Sequence, residues 1–205
     1  MGQVAQAHYF SAQPAVPHQR REITATIAGA RARLVTDSGV FSPGHIDAGT
    51  AALLQASPVP PQRGTLLDIG CGWGPIALTL AAQAPGATVW AVDVNERALE
   101  LTAANAARLG FDNVRVATPD QVPAELRFAG IWSNPPIRIG KPALHALLAQ
   151  WLPRLTPSGE AWLVVAKNLG ADSLQAWLND GSGLGLTASR VATSKGFRVI
   201  RVTWR

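Results

Sequence analysis

Cysteine is almost missing from this sequence: Cys71 stands alone among 205 residues. One thiol cannot close an internal disulfide, so the core must hold the fold, and a reducing compartment fits that usage. Long apolar runs are lacking too. The strongest, residues 161–166, is strand-sized, far short of the roughly 18–20 residues that cross a bilayer. Residues 1–11 carry neither the basic start and apolar stretch of a secretory leader nor the Ser or Thr at position 6 of a myristoylation site. These absences predict a soluble, cytoplasmic protein with no membrane partner. The four histidines (His8, His18, His45 and His145) show no metal-ligand spacing, so no metal is expected.

Charged residues are sparse at 15%, against 47% hydrophobic, which excludes a disordered or collagen-like chain and leaves ample material for a core. Lys and Arg total 18 and Asp and Glu 13, a net charge of +5. Arginine supplies nearly all of it, since lysine occurs only at Lys141, Lys167 and Lys195. Basic residues gather over residues 20–33, at Arg138 and Lys141, and over residues 190–205. Such a bias helps attract a polyanion. It equally suits a solvated, arginine-rich surface, and it becomes informative only around an active site.

Residues 1–20 are polar, with Pro14 and Pro17, and read as an arm laid over a surface. Residues 22–27 and 32–36 flank Ala28-Gly29-Ala30 and predict a hairpin. Residues 47–56 predict a small helix, ended by the proline cluster at 58–61. Residues 1–60 are therefore an arm, a hairpin and a covering segment, and residues 61–205 the main domain, within one structural unit. From Thr65 onward strands (66–69, 88–92, 114–116, 130–132, 161–166) alternate with helices (76–84, 96–109, 142–152, 173–178). Residues 186–191 and 197–202 then form a hairpin about residues 194–196. This alternation predicts an α/β fold, a mostly parallel seven-stranded sheet covered on both faces, with one strand of the final pair antiparallel.

Two segments carry chemistry. In the first, Asp68-Ile69-Gly70-Cys71-Gly72-Trp73-Gly74-Pro75, three alternate glycines join a strand to a helix. Glycine tolerates positive φ and lets a ligand approach the backbone, and in open α/β sheets ligands sit at the carboxyl ends of the strands. A dinucleotide fingerprint would need glycine at Pro75, and no phosphate-binding G-x-x-x-x-G-K-[ST] occurs. The next strand ends in Asp93, followed by Val94, where a carboxylate can accept both ribose hydroxyls or serve only as a helix cap. Cys71 reads as a buried filler. Among the tryptophans only Trp73 lies within reach of a ligand at the glycine turn; the others read as core or subunit-interface residues. In the second segment, Ser133-Asn134-Pro135-Pro136-Ile137, two prolines stiffen a turn that lacks two N–H groups. Asn134 Oδ1 and the Pro135 carbonyl can together accept both N–H groups of an exocyclic amine and aim its lone pair.

The spacing D-x-G-x-G-x-G resembles motif I of the class I S-adenosylmethionine methyltransferases. Asn134–Ile137 resembles the N-P-P-[IFYW] signature of amino-group methyltransferases that act on bases or glutamine. Together with His8-Tyr9-Phe10-Ser11, Thr36-Asp37-Ser38-Gly39-Val40-Phe41-Ser42, Asp47-Ala48-Gly49-Thr50 and Gly140-Lys141, the pattern is similar to the ribosomal small-subunit guanine-N2 methyltransferases over nearly the whole chain. The resemblance implies a Rossmann-like class I methyltransferase fold and S-adenosyl-L-methionine as cofactor. It implies Phe41, Asp68, Gly70, Gly72, Gly74, Asp93, Val94 and Asp120 as cofactor residues. Phe41 and the Asp47–Thr50 turn would close over the methionine end, with Asp120 near the adenine. Asn134, Pro135, Pro136 and Ile137 would be the catalytic turn, with Arg138 and Lys141 on substrate phosphates. Long members of that family carry a second, degenerate domain for which there is no room here, so RNA would dock on this domain's own surface or on a second subunit of a homodimer. Ile137, aliphatic where many adenine- and glutamine-modifying relatives are aromatic, points to guanine. The implied reaction is methylation of guanine N2 in 16S ribosomal RNA, with ribosomal RNA or the small subunit as partner. A protein-glutamine or small-molecule amine methyltransferase and a silent RNA-binding domain remain alternatives.

Overall fold

The computed structural model describes residues 16–205; the His8–Ser11 stretch and most of the arm lie outside the described residues. Strands β1 (Arg21–Ile27) and β2 (Ala30–Thr36) form an antiparallel two-stranded sheet. Both residues of their turn, Ala28 and Gly29, have positive φ (47° and 87°), the turn type whose twist matches the flanking strands. Helix α1 (Ala48–Ala56) follows. Then come β3 (Gly64–Ile69), α2 (Pro75–Gln83), β4 (Ala87–Val92), α3 (Glu96–Leu109), β5 (Val114–Ala117) and β6 (Phe128–Ser133). The chain continues through α4 (Lys141–Trp151), β7 (Leu155–Ala166), α5 (Ala171–Ala176), β8 (Leu186–Ser194) and β9 (Phe197–Trp204).

β3 to β9 make a seven-stranded sheet in the order β5-β4-β3-β6-β7-β9-β8. All pairings are parallel except those of β9, which runs antiparallel to both β7 and β8. The antiparallel member of the final pair is thus β9. The sheet is buried on both faces, and strand alternation divides its residues between them. Leu66, Val89, Trp132 and Val164 meet α1 and α2 through Leu53, Ile76 and Leu80. Leu67, Ile131, Leu163 and Ile200 meet α4 and α5 through Leu144, Leu148, Trp151 and Leu174. The β1–β2 hairpin buries Ala25, Ile27, Leu34 and Val35 against Trp73, Leu78 and Leu101, so it shares its core with α2 and α3.

Local sequence sets the element ends. In α3, Asn95 caps by accepting the Arg97 N–H at 3.0 Å, and Gly110 closes the helix at φ 70°. Two elements differ from the sequence-based expectation. α5 starts at Ala171 and passes into a π turn, Trp177–Gly181. β7 starts at Leu155, because its first residues pair with the start of β6 across a register shift between Phe128 and Gly130.

Candidate active site

β3 pairs with β4 on one side and β6 on the other, so strand order runs outward in both directions from it. This is the switch point where open α/β sheets bind ligands, at the carboxyl ends of the strands. A cavity of about 460 Å³ lies there, within the size range of small-molecule sites. Gly70, Gly72, Asp93, Val94 and Asn95 line one part of it; Asn134, Pro135, Pro136, Ile137, Leu147, Leu169 and Phe197 line another. Val40, Phe41 and Ser42 cover it, and a smaller side pocket adds His45, Thr50 and Trp73 to the lining.

Gly70 and Gly72 have φ of 77° and 59°, and a Cβ built on either would meet nothing within 4 Å. Their backbone is open toward the cavity and not closed off by protein packing. Gly74 differs: it does not line the cavity, and a Cβ there would fall 3.1 Å from Thr102 Oγ1, so it lets α2 start against α3. Asp93 is held by backbone donors, with the Gly72 N–H on Oδ2 at 3.0 Å and the Asn95 N–H on Oδ1 at 3.0 Å. Burial raises its pKa against these hydrogen bonds.

Asp68 lies beneath the turn, fully buried, and does not line the cavity. Its Oδ2 accepts the Ala77 N–H at 3.0 Å, while its Oδ1 has no partner among the described residues. Burial, opposed by that N–H and reinforced by the charge of Asp93, pushes the carboxyl up to about 8. Burial, then Asp93 and Asp68, push the Cys71 thiol well above its ordinary value, as suits an inert filler. Trp73 is buried, and its indole N–H donates to the Ser42 carbonyl at 3.1 Å, pinning the covering segment.

Asn134 follows β6, whose last residue, Ser133, donates its hydroxyl to the Ile69 carbonyl at 2.8 Å and ties the two ligand-facing turns together. Pro136 has φ −74° and ψ 75°, and the Ile137 N–H donates to the Pro135 carbonyl at 2.8 Å. This is an inverse γ-turn, which uses one of the two lone pairs of that carbonyl. The Asn134 amide donates to Asp47 Oδ2 and to Thr50 Oγ1, each at 3.1 Å.

Other expected residues fall as follows. Phe41 and Val94 line the cavity and are largely exposed at its mouth (49% and 43%). Asp120 is exposed, accepts the Thr118 hydroxyl at 2.6 Å, and leaves the lining to its neighbour Pro119. Lys141 is exposed at the start of α4, outside the lining. Arg138 lies in the single turn Ile137–Ile139, and its side chain is outside the described residues. Sequence reasoning missed Phe197, which brings an aromatic ring into the cavity that holds Ile137. The antiparallel course of β9 puts Phe197 beside Ala166 at the carboxyl end of β7. Among the described residues no group of three His, Cys, Asp or Glu is arranged for a metal, and no helix is long and apolar enough to cross a membrane.

The backbone cradle at Gly70 and Gly72, the carboxylate of Asp93 and a cavity of nucleoside dimensions fit S-adenosylmethionine. Residues 31–201 match the family model described as the methyltransferase small domain, and the chain belongs to that family. It is an S-adenosyl-L-methionine-dependent methyltransferase with a Rossmann-like fold. It is 36% identical over 197 residues to the uncharacterized protein YbxB of Bacillus subtilis, covering 95% of this chain and 96% of that one. It is 34% identical over 160 residues to ribosomal RNA small subunit methyltransferase C of Pseudomonas aeruginosa (75% of this chain, 47% of that one). The matching protein of the same name from Aeromonas hydrophila is 36% identical over 114 residues (56% and 33%). The chain thus spans a third to a half of those two relatives. Among solved structures, the T. thermophilus 16S rRNA N2 G1207 methyltransferase, in complex with AdoMet and guanosine, superposes with a TM-score of 0.72 at 24% identity, covering 94% of this chain and 52% of that one. That likeness concerns the fold.

Proposed function

We propose that the protein methylates the exocyclic N2 of a guanine in small-subunit ribosomal RNA. One observation carries this reading: the glycine turn with Asp93 and the Asn134–Ile137 turn line a single cavity. The similarity to ribosomal RNA small subunit methyltransferase C proteins supports the choice of RNA. When bound, S-adenosylmethionine supplies an electrophilic methyl group on its sulfonium. Asp93 holds the ribose hydroxyls beside Val94, Gly70 and Gly72 accept the cofactor against bare backbone, and Phe41 and the Asp47–Thr50 turn cover its methionine end. Asn134 Oδ1 and the remaining lone pair of the Pro135 carbonyl accept the two N–H groups of the amine, so its lone pair points at the methyl group. Ile137 and Phe197 give the base apolar surfaces, and rate comes from orientation; the sulfonium leaves as the neutral thioether S-adenosylhomocysteine, and the methylated nitrogen releases one proton to solvent. Arg138 and Lys141, beside the catalytic turn, contact phosphates of the RNA.

The test is transfer of tritiated methyl from S-adenosylmethionine to total RNA, assembled small ribosomal subunits and protein extract. Label recovered as N2-methylguanine from small-subunit RNA is the expected result. Label confined to protein would replace the base by a glutamine amide. The residue-level test is Asn134→Ala, expected to lower kcat about a hundredfold with cofactor affinity nearly unchanged.

A further inference from the structure

We propose that Asp47 and Thr50 are positioning residues that orient the Asn134 amide and so act on methyl transfer through it. The inference rests on the amine-accepting role of Asn134 and adds what holds that group in place. A side-chain amide has two N–H donors and one carbonyl acceptor at opposite ends, and the amide can turn over. Turned the wrong way, Asn134 would present donors to an amine that itself needs acceptors. The hydrogen bonds of Asn134 remove this ambiguity. Its Nδ2 reaches Asp47 Oδ2 and Thr50 Oγ1, both at 3.1 Å. A carboxylate only accepts, so turning the amide over would set oxygen against oxygen. Both N–H groups are thereby used, and Oδ1 is left without a partner among the described residues, on a residue that lines the cavity.

The anchor is itself held. Asp47 caps α1: its Oδ2 accepts the Gly49 N–H at 2.8 Å and the Thr50 N–H at 3.4 Å. Thr50 is buried (3% exposed). Gly49 allows the close approach, because a Cβ there would come within 2.9 Å of both Asp47 Oδ2 and the Phe197 ring. One carboxylate oxygen thus links the backbone at the start of α1 to an amide 87 residues away in sequence. The D-x-G-T stretch, read from the sequence as a cover for the cofactor, carries a second task at the acceptor end.

Two measurements test this on the intact protein with S-adenosylmethionine bound. The first is proton exchange at the Asn134 side-chain amide by NMR, which needs no acceptor substrate. Exchange at least tenfold slower than for exposed asparagines is expected, lost in Thr50→Val and Asp47→Asn and restored in Thr50→Ser. Wild-type exchange at the exposed rate, or equal protection in the variants, overturns the proposal. The second is methyl transfer to small ribosomal subunits at saturating cofactor. Thr50→Val should lower kcat about tenfold, by more than any change in the cofactor dissociation constant, and Thr50→Ser should recover it. Added to Asn134→Ala, Thr50→Val should have no further effect, because its influence passes through the missing amide. Full additivity overturns the positioning role alone. A wild-type kcat in Asn134→Ala overturns the amine-accepting role itself.

Discussion

The carboxylate of Asp93 accepts the backbone N–H of Gly72 at 3.0 Å, joining the end of β4 to the glycine turn that follows β3. The other carboxylate oxygen takes the Asn95 N–H, so the group expected to hold the ribose is preset by two backbone donors. Asp93→Ala should therefore weaken S-adenosylmethionine binding at least tenfold, since charge-assisted hydrogen bonds contribute about 1.5–3 kcal/mol each. Asp93→Asn, which can still accept one of those donors, should retain more affinity than the alanine variant. Calorimetry on variants with unchanged circular dichroism checks both; equal affinity in all three proteins would remove Asp93 from the site.

The glycines of the turn should separate by function. Gly72→Ala places a methyl group in the cradle, and its positive φ should cost only about 1–2 kcal/mol of stability, while cofactor binding falls more than tenfold. Gly74→Ala meets Thr102 at 3.1 Å with φ 99° and should lower the melting temperature more. Thermal unfolding with and without cofactor distinguishes the two. A Gly72→Ala protein that binds normally would mean the turn's openness serves no ligand.

Asp68 makes stability depend on pH. Its folded pKa, about 8, lies above the ordinary carboxylate value of 3.8, so the folded state holds a proton that the unfolded chain has released. Stability should therefore fall as pH rises from about 4 through about 8 and level off beyond, by at most about 1.4 kcal/mol per pH unit for one proton. Asp93, whose pKa is also raised, adds to the same slope. Asp68→Asn should flatten the profile and be the more stable protein at pH 8. Denaturant melts at pH 5, 6.5 and 8 read this directly, and an unchanged slope in the variant would contradict the assignment.

Arg138 and Lys141 should appear in the salt dependence of RNA binding. Each phosphate contact contributes about 0.7–0.9 to the slope of log affinity against log salt. Arg138→Ala with Lys141→Ala should flatten that slope by about one to two units, with cofactor affinity unchanged. A wild-type slope would leave these residues as solvated surface.

The half of the cavity at the glycine turn was legible because its parts are local. A strand, an alternating-glycine turn and a strand-end acid within about 25 residues declare themselves by spacing. Even there Asp120 lies outside the lining, where Pro119 stands, and turns to Thr118. Trp73, the tryptophan placed by sequence within reach of a ligand, lines the side pocket while its N–H goes to Ser42. The acceptor half was less legible. Asp47 meets Asn134, and Phe197 meets Gly49, only through tertiary packing, for which periodicity carries no signal. The antiparallel final strand was legible from the missing helix before it, but its place between β7 and β8 was not.

That place orders events in time. β9 is last in sequence among these strands, yet it lies between β7 and β8. During synthesis β8 is complete before it has a neighbour to pair with, and the edge of β7 stays open until β9 inserts. Late, long-range strand insertion slows folding and leaves unpaired edges exposed to other chains. Phe197 arrives with that strand, so a nascent chain has its glycine turn long before it has a closed acceptor site. The cavity that Phe197 lines is complete only once β9 is in place.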